Sequence, residues 1–194
     1  MLMCKKDLLD ICSRLKGLLF DPQQEWQRIG KEDADRKRLF RHFIVFPCCL
    51  FSLLVVLIHL SSRSVVISVE YGVINFVSCL AGVYITWKVA REYLANKDAR
   101  YQENSLKLTV YSFAVFLLFR SLSVGFTNSF WGDLMAVFSL IVLYTLYVGI
   151  DTLPELSASH KKSAFIIIGL LIACTPAIIT RLLTILLRVP AINA

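Results

Sequence analysis

Four ionisable residues lie inside long apolar blocks of the sequence, where a charge could carry chemistry. They are Glu70, Arg120, Asp133 and Arg181. A charged side chain at the bilayer centre costs about 2.5–3.5 kcal/mol, so such residues are candidates for an ion pair or a substrate site. We predict an intramembrane polar cluster of Glu70, Arg120 and Arg181, in which Glu70 pairs with one arginine. Snorkelling of the arginines toward water and a site for a substrate or ion are the alternatives.

No residue pattern typical of an enzyme accompanies these charges. The histidines His42, His59 and His160 lie at the boundaries of the apolar blocks, and the sequence contains no phosphate-binding loop or HExxH motif. The six cysteines form neither a CxxC pair nor a cluster with histidine, so we expect no zinc site. The sequence therefore predicts a protein that is not an enzyme and that uses no metal or cofactor.

Five apolar blocks are the elements that must position these residues. The chain of 194 residues is 57% hydrophobic and only 18% charged. The blocks cover about residues 42–60, 67–87, 107–127, 131–150 and 164–187. Each is close to the ~20 residues with which a helix crosses a bilayer, and a helix satisfies its own backbone in lipid. The sequence therefore predicts an all-α integral membrane protein, with a bundle of five transmembrane helices in residues 42–194. We expect Asn75 and Tyr71 in the second block, and Tyr144 and Tyr147 in the fourth, to hydrogen-bond between helices.

Lysine and arginine are distributed unevenly between the two sides of this predicted bundle. Seventeen of the 21 lie on the side of the N-terminus and four on the other side. The positive-inside rule then predicts a cytoplasmic N-terminus and an external C-terminus, and we expect the bacterial inner membrane. Because the basic residues flank apolar blocks, the net charge of +7 favours an anionic membrane surface over nucleic acid.

Residues 1–41 form a separate cytoplasmic segment in this prediction, made of amphipathic helices and a basic run. Apolar residues recur every three or four positions up to Leu19, and Asp21 followed by Pro22 is typical of the start of a second helix. Trp26 and Ile29 share one face of that helix. We expect the apolar faces to lie on the anionic inner leaflet, with docking to a protein partner as the alternative. Pro22, Trp26 and Ile29 are therefore candidate interfacial or partner contacts.

Three stretches of the sequence resemble a known family. The stretch "LLFDPQQEWQRI" at residues 18–29 is similar to the opening of prokaryotic members of the Yip family of Ypt/Rab-GTPase-interacting membrane proteins. The stretch "LKLTVYSFAVFLLFRSL" resembles that family's third span, and "LIVLYTLYVGIDTLPELSASHKKSAFIIIGLL" resembles its fourth and fifth spans. The resemblance covers about residues 18–187 and implies five spans with a cytoplasmic N-terminus. The YGP-type motif of eukaryotic members is missing, so the resemblance does not carry GTPase binding over to this chain.

The sequence predicts the first of two functions and leaves the second as its alternative. The first is a non-enzymatic scaffold or adaptor in membrane organisation or trafficking, which acts through its cytoplasmic helices. The second is a subunit of a small-solute or ion transporter or channel, which would need a polar path through the middle of the bilayer. The sequence also leaves open whether the chain forms a homo-oligomer.

Overall fold

The computed structural model describes residues 5–32, 39–61, 63–95, 101–126, 129–152 and 158–189, and these residues form helices without any strand. Two short helices come first, and a π-helical turn at Arg41–Val45 then leads into the first long helix. In chain order the α-helices are α1 (Lys5–Phe20), α2 (Pro22–Lys31), α3 (Phe46–Leu60), α4 (Val65–Ala95), α5 (Tyr101–Gly125), α6 (Phe130–Phe138), α7 (Ile141–Thr152) and α8 (Ala158–Leu186).

Five segments of this structure are long and apolar enough to cross a membrane. They are Arg41–Leu60, Val65–Tyr93, Asn104–Gly125, Phe130–Thr152 and Lys161–Leu186. Each of the five predicted blocks lies almost entirely within one of these segments, and the second segment extends six residues further than its block, from residue 87 to 93. The prediction of an all-α membrane protein with five spans is therefore confirmed.

The third span, on α5, is the centre of the bundle. It contacts α3, α4, α6 and α7, and 72% of its most apolar window is buried within the protein, against 33–44% for the other four spans. Small polar side chains on α5, among them Ser105, Thr109, Ser112 and Ser121, are buried with it. Small residues let neighbouring helices approach closely in a membrane, so α5 can be surrounded on all sides.

The fourth span differs from the prediction, because it is two helices rather than one. Helix α6 ends at Phe138, α7 begins at Ile141, and Ser139 and Leu140 form a turn between them. The hydroxyl of Ser139 donates to the carbonyl of Ala136 at 2.6 Å, and the Leu140 amide donates to the carbonyl of Val137 at 3.0 Å. Serine competes in this way with the regular helical bonds. These bonds to residues three positions earlier satisfy backbone groups that lipid could not.

Candidate functional site

The first two helices form a hairpin, which we define as α1 and α2 together. Helix α2 begins as the sequence predicted: the Asp21 carboxylate accepts a hydrogen bond from the Gln24 amide at 3.3 Å, and Pro22 occupies the first turn. Both helices contact the long helices, α1 at α5 and α2 at α7. The hairpin is therefore packed against the bundle at the end where α5 begins and α7 ends.

Trp26 is the main anchor of the hairpin on the bundle. Its indole is fully buried, and Nε1 donates a hydrogen bond of 2.9 Å to the carbonyl oxygen of Thr145 on α7. The ring also meets Tyr111 of α5 edge-on, with 6.1 Å between the ring centroids. A Cβ added to Gly149 would lie only 2.6 Å from Cε2 of Trp26. Glycine at this position of α7 therefore makes room for the indole.

The other two predicted contact residues are also on the buried side of α2. Pro22 and Ile29 are buried, and Ile29 belongs to the same apolar core as Trp26. We expected this face of α2 to lie on lipid, but in this structure the bundle covers it. The physical reason is the indole N–H, which needs a hydrogen-bond acceptor when it is buried, and α7 supplies one. The sequence alone does not reveal that the acceptor and the glycine gap lie on the fourth span.

A network of charged side chains joins α1 to α2. Arg14 donates to Glu25 at 2.9 Å through Nη1 and to Glu32 through Nη2, and Asp10 lies 3.7 Å from its Nε. Arg28 adds a second cation, 3.4 Å from Glu25. Burial acts to lower the pKa of Arg14, but the hydrogen bonds to Glu32 and Glu25 outweigh it and raise that pKa above its ordinary value. These hydrogen bonds therefore stabilise the folded hairpin at every pH below the ordinary pKa of arginine, and Arg14 stays charged and bonded across the physiological range.

Lys107 connects the end of the hairpin to the start of the third span. Although it is charged, it is only 4% exposed. Its Nζ donates to the carbonyl oxygens of Glu32, at 2.5 Å, and Gly30, at 3.5 Å. These carbonyls lie at the C-terminal end of α2, where the helix dipole favours a cation. By sequence, Lys107 counts only among the seventeen basic residues on the side of the N-terminus, so this anchor of the hairpin was missed.

The predicted cluster of Glu70, Arg120 and Arg181 is not assembled in this structure. Glu70 is half-buried on α4, and Arg181 is exposed on α8. Within the described ranges no ion pair links Glu70 to either arginine. The Nη2 atom of Arg120 is buried on α5 without a hydrogen-bond partner there. The pairing that we expected therefore remains a prediction without a contact to support it.

Asn75 instead forms the polar contact that joins three spans. Its Nδ2 donates to the hydroxyl oxygens of Ser52 on α3, at 3.1 Å, and Ser121 on α5, at 3.3 Å. Its Oδ1 lies 3.9 Å from the thiol of Cys79, one turn along α4. The expected hydrogen bond of Asn75 between helices is confirmed, whereas Tyr144 and Tyr147, for which the same was expected, are more than half exposed on α7. Both of its polar atoms have partners, which is the arrangement expected of a structural amide.

The fold and the anchored hairpin define a class of protein, the polytopic α-helical membrane protein with a packed helical segment outside its spans. The family model of the Yip1 domain matches residues 16–182, from the last five residues of α1 to near the end of α8. The chain therefore belongs to the Yip1 domain family, as the resemblance of its sequence motifs predicted. The matched range includes the hairpin anchor Trp26 and most of the five spans. No curated protein and no solved structure matches the chain.

Proposed function

We propose that this protein is a non-enzymatic scaffold or adaptor that presents its N-terminal hairpin to a protein partner at the cytoplasmic face of a membrane. The observation that carries the proposal is the fixed docking of the hairpin. Trp26 attaches α2 to the fourth span, and Lys107 attaches the end of α2 to the third span. A surface held at two separate points keeps one orientation relative to the bilayer, which lowers the entropic cost of binding a partner.

Part of the exposed surface of the hairpin carries apolar and uncharged polar side chains. Phe20 at the end of α1 is 82% exposed, and Leu9 on the same helix is 60% exposed. Gln24 and Gln27 are exposed on α2. Exposed aromatic residues next to uncharged polar groups are typical of protein interfaces. We call Leu9, Phe20, Gln24 and Gln27 the outer face.

The proposed orientation follows the basic residues. Lys107 lies at the hairpin end of the bundle. Lys161 and Lys162 lie where the fifth span begins, and the four preceding spans bring the chain back to the side of the N-terminus at that point. By the positive-inside rule this end faces the cytoplasm, which in a bacterium places the chain in the inner membrane. Reporter fusions after Lys161 should give a cytoplasmic signal, and fusions after Arg63 an external one. The opposite pattern would overturn this orientation.

Photo-crosslinking tests the proposed presentation of the hairpin. A photoreactive amino acid at Gln24, on the outer face, should form a discrete adduct with one protein in intact membranes. The same group at Tyr144, which is 58% exposed on the membrane-spanning helix α7, is the matched control and should react only with lipid. The Gln24 adduct should disappear when Trp26→Ala releases the hairpin in a protein that still assembles. Adducts that are only lipid at Gln24, or a protein adduct that survives Trp26→Ala, would contradict the proposal.

One observation favours the second candidate, a transporter or channel subunit. The fourth span is interrupted at Ser139 and Leu140, between α6 and α7. Discontinuous membrane helices build the substrate sites of many transporters. Reconstituted vesicles distinguish the candidates, since a transporter must give solute or ion flux that depends on the protein. Flux above that of empty vesicles, lost on Ser139→Pro but not on Trp26→Ala, would support transport over the scaffold.

A further inference from the structure

A groove opens between the end of the fourth span and the start of the fifth. It has a volume of about 470 Å³ and is lined by Tyr147, Ile150 and Asp151 of α7 and by Lys161, Lys162, Phe165 and Ile166 of α8. Helix α7 ends at Thr152, and the fifth span begins at Lys161. The groove therefore lies at the membrane boundary, at the same end of the bundle as the hairpin.

The walls of the groove are apolar and open toward the hydrocarbon. The ring of Tyr147 meets that of Phe165 edge-on, with 6.0 Å between the centroids, and joins α7 to α8. Tyr147 is nevertheless 59% exposed and Ile166 63% exposed. Side chains exposed on spanning helices at this depth contact lipid. The walls are therefore continuous with the lipid-facing surface, which suits an acyl chain better than a water-soluble ligand.

The mouth of the groove carries an excess of positive charge. Nζ of Lys161 donates to Oδ1 of Asp151 at 2.8 Å and lies 3.4 Å from the carbonyl oxygen of the same residue. Lys162 is exposed, and no carboxylate in the described part of the chain forms an ion pair with it. With two lysines and one aspartate the lining has a formal charge of +1. Within the described part of the chain, Lys162 and the remaining proton of Lys161 are therefore available to bind an anion.

We propose that this groove binds one anionic phospholipid, with its phosphate at Lys162 and Lys161 and an acyl chain along Tyr147, Phe165 and Ile166. Basic pockets between spanning helices commonly hold the headgroups of anionic lipids. The positive charge at the mouth of the groove favours an anionic headgroup. The opening of the groove toward the hydrocarbon favours a membrane lipid over a free phosphate. The proposal does not rest on the scaffold function, because the groove does not include the outer face of the hairpin.

Native mass spectrometry of the full-length protein with two lipids of identical acyl chains tests the headgroup. Wild type should retain phosphatidylglycerol about fivefold more than phosphatidylcholine, since one lysine near a membrane surface contributes about that factor. Lys162→Gln should remove most of this preference. Lys88→Gln is the matched control, because Lys88 is an exposed lysine on α4 that does not line the groove. An equal preference in Lys162→Gln and wild type would overturn the proposal.

Binding of the acyl chain is tested separately, with two substitutions on α8. Ile166→Ser should lower retention of phosphatidylglycerol several-fold, whereas Ile178→Ser should not, although Ile178 is similarly exposed, at 57%. Both variants should elute as monodisperse protein, since neither side chain is buried. An excess of glycerol phosphate should fail to displace the bound lipid. Displacement, or equal effects of the two serine variants, would mean that the groove does not bind a phospholipid through its chain.

Discussion

Replacement of Gly149 by alanine tests whether the hairpin is docked on the fourth span. The added Cβ would lie 2.6 Å and 2.7 Å from Cε2 and Cζ2 of Trp26, and 3.0 Å from Cδ2 of Leu108. The indole is rigid and is held by its hydrogen bond to Thr145, so it cannot turn aside without losing that bond. Overpacking of this kind costs about 1–3 kcal/mol. Alanine in place of glycine also stabilises a helix by up to ~1 kcal/mol, which offsets part of that cost. We expect a net cost of about 1–2 kcal/mol.

The cost should fall on the hairpin rather than on the whole bundle, because undocking of α2 relieves the clash. A change of 1–2 kcal/mol raises the undocked population by a factor of about 5–30. Hydrogen–deuterium exchange of the α2 amides in detergent measures this population. The control is Gly169→Ala, whose Cβ would meet the flexible side chain of Leu143 at 2.9 Å. It should affect the contact of α7 with α8 and leave the exchange of α2 unchanged.

A double mutant identifies the indole as the cause. Phenylalanine lacks the second ring to which Cε2 and Cζ2 belong, so Gly149→Ala should cost much less in a Trp26→Phe background. We expect a coupling of about 1 kcal/mol between the two positions, which is typical of residues in contact. If Gly149→Ala leaves α2 exchange unchanged, or if the two changes are simply additive, then α2 does not dock on α7 and the reasoning fails.

Three further substitutions probe the other contacts. Arg14→Met should lower the stability of the hairpin by up to ~3 kcal/mol, because Glu25, which is only 6% exposed, loses its closer cationic partner and keeps only Arg28 at 3.4 Å. Faster exchange of α1 and α2 checks this, and Arg14→Lys should restore part of the loss. Lys107→Met should raise exchange only in the last turn of α2, and an effect spread evenly over the hairpin would argue against its role as a cap. Asn75→Leu should lower thermal stability by about 1 kcal/mol, since two interhelical hydrogen bonds of ~0.6 kcal/mol each are lost, and unchanged stability would mean that they contribute nothing.

The five spans and the start of α2 could be predicted because their signals are local. Span length follows from the number of consecutive apolar residues that a bilayer requires. The Asp21 cap follows from the four unsatisfied amides of a helix start. Both depend only on neighbouring residues in the chain. The spans therefore agree with the predicted blocks, except that the second span continues to residue 93 and that the fourth is interrupted at Ser139. A short turn of this kind changes few hydrogen bonds and leaves no clear pattern in the sequence.

The contacts that build the candidate site could not be predicted, because they join residues far apart in the chain. Trp26 and Thr145 are separated by 119 positions, and Lys107 and Glu32 by 75. An amphipathic helix has the same sequence pattern whether its apolar face meets lipid or protein. One signal was present: a tryptophan on a short charged helix has an N–H that favours a defined acceptor over hydrocarbon.

In this bundle the relation between the hydropathy of a span and its burial is the reverse of the relation found in soluble proteins. In water the most apolar helix is the most buried, whereas in a bilayer lipid requires apolar residues on the outside and the interior can be polar. The third span has the lowest mean hydropathy of the five and is the most buried, with 72% of its most apolar window inside the protein, whereas the first span has the highest mean hydropathy and only 39% of its window is buried. Serine, threonine and lysine on α5 are tolerated because protein surrounds them. The same polarity lets Lys107 hold the hairpin at the start of this helix, so the central span both organises the bundle and fixes the surface that we propose a partner binds.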